Sequence, residues 1–174
     1  SYMLLRGTPF IYQGQEIGMR NFPFTAITQT DATEIKQAYE ALISEGMTES
    51  EALDKVMANS RDHSRTPMQW DATQNAGFTS GKPWMPIHPN YKEVNTEKSH
   101  ELIDLYKVLI HLRHEEDDIA RGSIKFWFER HLTAFVYERD SFLIITNLGT
   151  KKAHLDFNKL EIEDYQHILG SHPR

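Results

Sequence analysis

Gly7-Thr8-Pro9-Phe10-Ile11-Tyr12-Gln13-Gly14-Gln15-Glu16-Ile17-Gly18-Met19 is the stretch on which the fold turns. Phe10, Ile11 and Tyr12 are strand formers set between Gly7 and Pro9 on one side and Gly14 and Gly18 on the other. Polar Gln13, Gln15 and Glu16 follow where the apolar run stops. The reading is a buried strand opening into a glycine-rich loop. In a parallel α/β barrel such strand ends carry the loops that do the chemistry. A chain that begins on such a strand is expected to lack the strands before it.

The remainder of the chain divides into zones. Residues 20–95 form a long excursion with two helices and an irregular part rich in Pro, Gly and Trp. Asp31 with Glu34, and Thr48 with Glu51, have capping-box spacing. Apolar stripes follow each: Ile35, Ala38, Tyr39 and Leu42 up to Gly46, then Ala52, Leu53, Val56 and Met57. An excursion of this length shapes a substrate mouth or merely covers barrel edges. Residues 96–118 predict one amphipathic helix whose buried face carries Leu102, Leu105, Tyr106, Leu109, Ile110 and Leu112. Ile124, Phe126 and Phe128 alternate with Lys125, Trp127 and Glu129, the period of a half-buried strand. Further strands are expected at 134–137 and 142–145 around the turn Arg139-Asp140-Ser141, with alternation again at Leu155 and Phe157.

Composition narrows the classes. The 174 residues carry a formal net charge of −6, against a nucleic-acid or anionic-membrane partner, which both need a basic face. The absence of cysteine rules out disulfides and thiolate chemistry and suits a cytoplasmic protein. No signal peptide is visible, and no apolar run reaches the ~20 residues of a membrane span. No P-loop, dinucleotide fingerprint or nucleophile elbow appears. His111, His114 and Asp118 share a helix face as metal ligands do, but Glu115, Glu116 and Asp117 beside them favour a solvated helix end, and no metal is assigned.

Three more stretches fix a resemblance: Arg61-Asp62-His63-Ser64-Arg65-Thr66-Pro67-Met68-Gln69-Trp70-Asp71, Asn75-Ala76-Gly77-Phe78-Thr79-Ser80-Gly81-Lys82-Pro83-Trp84, and Pro89-Asn90-Tyr91-Lys92-Glu93-Val94-Asn95. With the opening stretch, in this order and spacing, they resemble the oligo-1,6-glucosidase and dextran glucosidase branch of the α-amylase superfamily of glycoside hydrolases. Trehalose-6-phosphate hydrolase lies close by. Gln15 departs from the family pattern, which carries Glu there, so no role needing a carboxylate is assigned to that position.

The resemblance implies an α+β chain. Residues 1–118 would be the last strand and helix of a (β/α)8 TIM barrel with its helical excursion, and residues 119–174 an incomplete antiparallel β-sandwich. The implied parent is a retaining exo-α-glucosidase acting on isomalto-oligosaccharides or dextran. Its two carboxyl groups, roughly 5–5.5 Å apart in a retaining enzyme, would sit in the missing N-terminal barrel portion. No residue of this chain is assigned as catalytic. No organic cofactor is implied, and any calcium site of the relatives would lie in barrel loops outside this chain. Alternatives are a trehalose-6-phosphate hydrolase, a non-catalytic amylase-like interaction subunit, or an inactive remnant.

Arg65 is the residue the resemblance places in the wall of the glucose pocket. A guanidinium fork donating to two sugar hydroxyls at fixed geometry suits that task, and the alternative is a structural Arg61–Asp62–Arg65 ion-pair knot. Asp62 reads as structural, orienting one of the two arginines. Glu16 reads either as an acceptor that positions active-site side chains or as a buried carboxylate satisfied by loop amides or an arginine. Trp70 and Phe78 read as core, whereas Trp84 and Tyr91 are open between core and sugar-stacking platforms.

Overall fold

The computed structural model describes residues 2–160 and 164–170. The chain forms two compact units, residues 12–103, and residues 1–11 with 104–174.

In the central unit, helices α1 (Thr33–Ser44) and α2 (Glu49–Met57) pack on each other. The Thr48 capping box forms as the sequence dictates. Thr48 Oγ1 accepts from the Glu51 amide at 3.3 Å, and Glu51 Oε2 accepts from the Thr48 amide at 3.1 Å. The box expected at Asp31 does not form. Ala32 is the N-cap of α1, Thr30 Oγ1 takes the Ala32 amide at 3.1 Å, and Glu34 turns to Arg61 instead. Gly46, at φ 94°, terminates α1 in the left-handed conformation that glycine enters at least cost. Ala52, Leu53 and Met57 are the buried side of α2, and with Ile17, Phe22, Met68 and Ala76 they supply the unit's apolar core.

Helix α3 (His100–Glu115) is shorter than the 96–118 of the sequence reading. Asn95, fully buried, accepts from the amides of Glu97 and Lys98 at 3.0 Å and winds residues 96–98 into a separate turn before the helix starts. A short helix α4 (Asp117–Ala120) follows, capped at Glu116. The expected apolar face of α3 is present, but none of its side chains is fully buried among the described residues.

The second unit holds one antiparallel sheet, β1 (Lys125–Trp127), β2 (Ala134–Arg139) and β3 (Phe142–Asn147), in the order β1-β2-β3. Phe126 pairs with Tyr137, and Arg139 with Phe142 around the Asp140-Ser141 turn. Phe126, Phe135 and Tyr137 cluster on one face with centroids 5.3–6.2 Å apart. Asp118 accepts from the Ser141 amide at 3.3 Å, so this acid ties helix to hairpin. The N-terminal segment is held by guanidinium donors. Arg113 donates to the carbonyls of Met3, Leu5 and Gly7, and fully buried Arg139 to those of Leu4, Gly122 and Ser123. No strand forms at Leu155–Phe157, where a 3-10 turn runs from Phe157 to Lys159.

The strand expected at Phe10–Tyr12 is also corrected. These residues carry no strand pairing, and Phe10 is 85% exposed. A central strand of a parallel sheet exists only through ladders to its neighbours, and the described residues provide none beside this segment. Among the described residues, no helix is long and apolar enough to cross a membrane.

Candidate functional site

The site is built within the central unit by two segments, the loop from Tyr12 to Asn21 and the stretch from Ala58 to Thr66. Gly14 at φ 89° and Gly18 at φ 75° bracket a single 3-10 turn, Gln15–Ile17. The wrap is closed by the Met19 amide donating to the Gly14 carbonyl at 2.9 Å, and a Cβ on Gly14 would fall 2.5 Å from Met19 Sδ. Glycine is needed there for both conformation and space. The Gln15 side-chain carbonyl accepts from the Tyr12 amide at 3.0 Å, so an amide serves locally where the family pattern has an acid. Ser99 Oγ donates to the Ile17 carbonyl at 2.9 Å.

The second segment leaves α2 at Ala58 and winds into a 3-10 turn, Arg61–Ser64, with Ser60 Oγ capping it by accepting from the Asp62 amide at 3.2 Å. That winding directs Asp62 inward, where it is 3% exposed. One carboxylate oxygen accepts from Thr30 Oγ1, itself fully buried, and the other lies 3.4 Å from Arg65 Nη1. The Arg65 side chain is half exposed. Arg61 does not join this pair. It bonds Glu34 at 3.3 Å on the surface, and the Glu34 carboxyl is held below its ordinary value by a backbone hydrogen bond first and by Arg61 second. The three-residue knot therefore resolves into two separate pairs, with Asp62 on Arg65.

An open cleft of about 350 Å³ lies between the segments. Tyr12, Gln13, Gln15, Arg20 and Asn21 line one wall, and Asn59, Ser60, His63, Ser64 and Thr66 the other. The Tyr12 hydroxyl donates to the Ser64 carbonyl at 2.6 Å and braces the walls together. His63 Nε2 lies 2.8 Å from the Met57 carbonyl, which can only accept, so that nitrogen carries the proton. Side-chain amides, hydroxyls and one arginine, set beside Gly14, Met19 and Ala58, give the lining donors and acceptors for a polyhydroxylated ligand. Arg65 is not among the lining residues. Glu16 is half-buried, and its Oε2 is buried without a hydrogen-bond partner among the described residues. Satisfaction of that oxygen by loop amides or an arginine is thus not what the structure contains.

Two aromatic readings change. Trp70 is 51% exposed and Phe78 40%, so neither is core. The physical reason is the backbone. The Trp70 and Asp71 amides both donate to the Ala76 carbonyl, and Thr96 Oγ1 donates to the Trp70 carbonyl, so the loop is fixed by its main chain and by the buried Gln69 side chain. Trp84 is exposed, and Tyr91 half-buried. Sequence reasoning missed the Tyr12 brace, Arg20 and the Thr30 contact to Asp62. Thr30 and Asp62 lie 32 positions apart and no local pattern joins them.

Residues 1–122 match the family described as "Alpha amylase, catalytic domain". A "Probable oligo-1,6-glucosidase 2" of Bacillus subtilis (strain 168) is 36% identical over 164 residues, covering 89% of this chain and 29% of that protein. An oligo-1,6-glucosidase of Parageobacillus thermoglucosidasius is 39% identical over 157 residues, covering 85% and 28% respectively. The crystal structure of Bacillus licheniformis trehalose-6-phosphate hydrolase superposes with a TM-score of 0.80 at 39% identity, covering 84% of this chain and 28% of that one. The chain thus spans under a third of the length of the relatives it matches.

Proposed function

The chain belongs to the α-amylase family, and from that premise we propose that it is the C-terminal portion of a retaining exo-α-glucosidase that cleaves α-1,6-glucosidic bonds of isomalto-oligosaccharides or dextran. The glycosidase chemistry follows from the family. The oligo-1,6-glucosidases among the relatives support the linkage. In this reading residues 1–118 complete the catalytic barrel and residues 119–174 begin a β-sandwich, in a cytoplasmic enzyme. The nucleophile and the acid/base, two carboxyl groups about 5–5.5 Å apart, are supplied by the barrel portion outside this chain.

The observation that carries the reading is the Asp62–Arg65 pair. A buried carboxylate fixed by Thr30 holds a guanidinium whose own side chain remains half exposed. One edge of the fork is engaged by Asp62, and the rest is presented for hydroxyl oxygens of the terminal glucose. Because the carboxylate is itself anchored, the fork loses little freedom on binding, which is what a sugar-positioning group requires. In this reading the unpartnered Glu16 carboxylate oxygen is an acceptor available to active-site groups outside the described residues.

The test is hydrolysis by the intact enzyme that contains this chain, with isomaltose and trehalose 6-phosphate as parallel substrates and the anomer of the released glucose read by NMR. Isomaltose cleavage with retention is expected. Replacing Arg65 by Ala should lower kcat/KM by about 10- to 100-fold, the range for losing hydrogen bonds from a charged donor. Cleavage of trehalose 6-phosphate alone would transfer the assignment to the trehalose-6-phosphate hydrolase reading, which the superposition at a TM-score of 0.80 supports. Activity on neither would overturn the glucosidase reading.

A further inference from the structure

We infer that Arg20 recognises the second unit of the substrate, the sugar on the leaving side of the scissile bond, by donating its guanidinium fork to a pair of adjacent oxygens. Arg20 is exposed and lines the cleft, and it makes no hydrogen bond or ion pair among the described residues. No carboxylate stands among the lining residues, so the cleft holds an uncompensated cation beside side-chain amides, hydroxyls, the His63 ring and the apolar Met19 and Ala58. An arginine of this kind is set to meet oxygen acceptors brought by a ligand.

The placement is constructed. The Gly14–Met19 wrap fixes where the chain emerges at Arg20, and the Tyr12–Ser64 hydrogen bond of 2.6 Å fixes the opposite wall against it. Ser64 immediately precedes Arg65, yet the Arg65 side chain does not line the cleft. In this inference the sugar in the cleft is a unit other than the one held by Arg65. This inference rests on the proposed glucosidase function and names the part of the substrate that Arg20 reads. The shared chemistry is two oxygens within reach of one fork. They come either from vicinal hydroxyls of a glucosyl unit or from a phosphate on that unit.

The experiment compares wild type, Arg20→Ala and Arg20→Lys in the intact enzyme on p-nitrophenyl α-glucoside, isomaltose, trehalose and trehalose 6-phosphate. The first substrate has a glucose unit but no leaving sugar. The expected result is that Arg20→Ala lowers the ratio of kcat/KM for the sugar-leaving substrate over that for p-nitrophenyl α-glucoside by tenfold or more. Arg20→Lys should recover only part of that loss, because an ammonium lacks the planar fork. Arg65→Ala should by contrast depress all substrates together. A fall on isomaltose identifies hydroxyls, and a fall confined to trehalose 6-phosphate relative to trehalose identifies phosphate. An unchanged ratio in Arg20→Ala, or an equal fall on every substrate, overturns the inference while leaving the glucosidase reading standing. Wild-type inactivity on all four overturns the glucosidase reading and this inference with it.

Discussion

Single residues in this chain are set by long-range partners that local pattern does not name. Asp62 could pair with either arginine beside it. The choice of Arg65 follows from the 3-10 winding capped by Ser60 and from Thr30, 32 positions away, which fixes the other carboxylate oxygen. A buried carboxylate left with fewer donors would carry a large desolvation cost, so this contact is part of the fold as well as of the site. Tyr137 shows the same logic in a titratable group. It is fully buried, and desolvation pushes its phenol from 10.0 up to about 12, offset in part by the charges of Arg139 and Arg113. Between pH 10 and 12 the unfolded chain ionises this tyrosine while the folded chain keeps it neutral. The unfolded state then binds fewer protons, and stability falls as pH rises, by at most about 1.4 kcal/mol per pH unit. Below pH 10 the group makes no pH-dependent contribution. Melts recorded from pH 9 to 12 should therefore fall more steeply for wild type than for Tyr137→Phe. Equal slopes would show that the phenol is not shielded in the folded chain.

Elements divide by how local their determinants are. The start of α2 was legible because Thr48 and Glu51 satisfy each other's backbone amides three positions apart. Replacing Thr48 by Ala should cost about 1 kcal/mol and speed hydrogen exchange at the Glu51 amide, whereas Ser should restore most of the loss. The Glu51 carboxyl is held below its ordinary value by the Thr48 hydroxyl first and the Thr48 amide second. The contribution of the box is therefore present above the unfolded pKa of 4.5 and lost as pH falls through the folded value. An unchanged denaturation midpoint in Thr48→Ala would mean that packing of Ala52, Leu53 and Met57 alone fixes the helix. The hairpin β2–β3 was legible for the same reason of locality, as two short runs of β-prone apolar residues on either side of a turn. Phe10–Tyr12 was not. Its apolar, β-prone residues prescribe a strand only where other strands offer ladders, and exposure of Phe10 records their absence among the described residues. Helix α3 shows the intermediate case, with the stripe legible in sequence, the start delayed by the Asn95 side chain and burial supplied by whatever packs on the stripe.

At the scale of the whole molecule, the balance between apolar exposure and charge decides how the isolated chain behaves. Leu132 is 98% exposed, and Phe10, Trp84, Leu148, Tyr165 and Ile168 are also largely in solvent. Edge strands β1 and β3 each have one ladder side unpaired among the described residues, and β3 is rich in branched apolar residues. Unpaired edges and apolar patches of this kind drive association, and a net charge of −6 spread over 174 residues opposes it only through screened repulsion. The 174-residue chain on its own should therefore self-associate. Sedimentation velocity over a hundredfold concentration range should give coefficients that rise with concentration, and the fluorescence of a hydrophobic dye should be enhanced before any thermal transition. Salt separates the two forces, since added NaCl weakens charge repulsion and should increase association if apolar contact drives it. A concentration-independent monomer with a sharp cooperative melt would show that these side chains are covered within the chain itself.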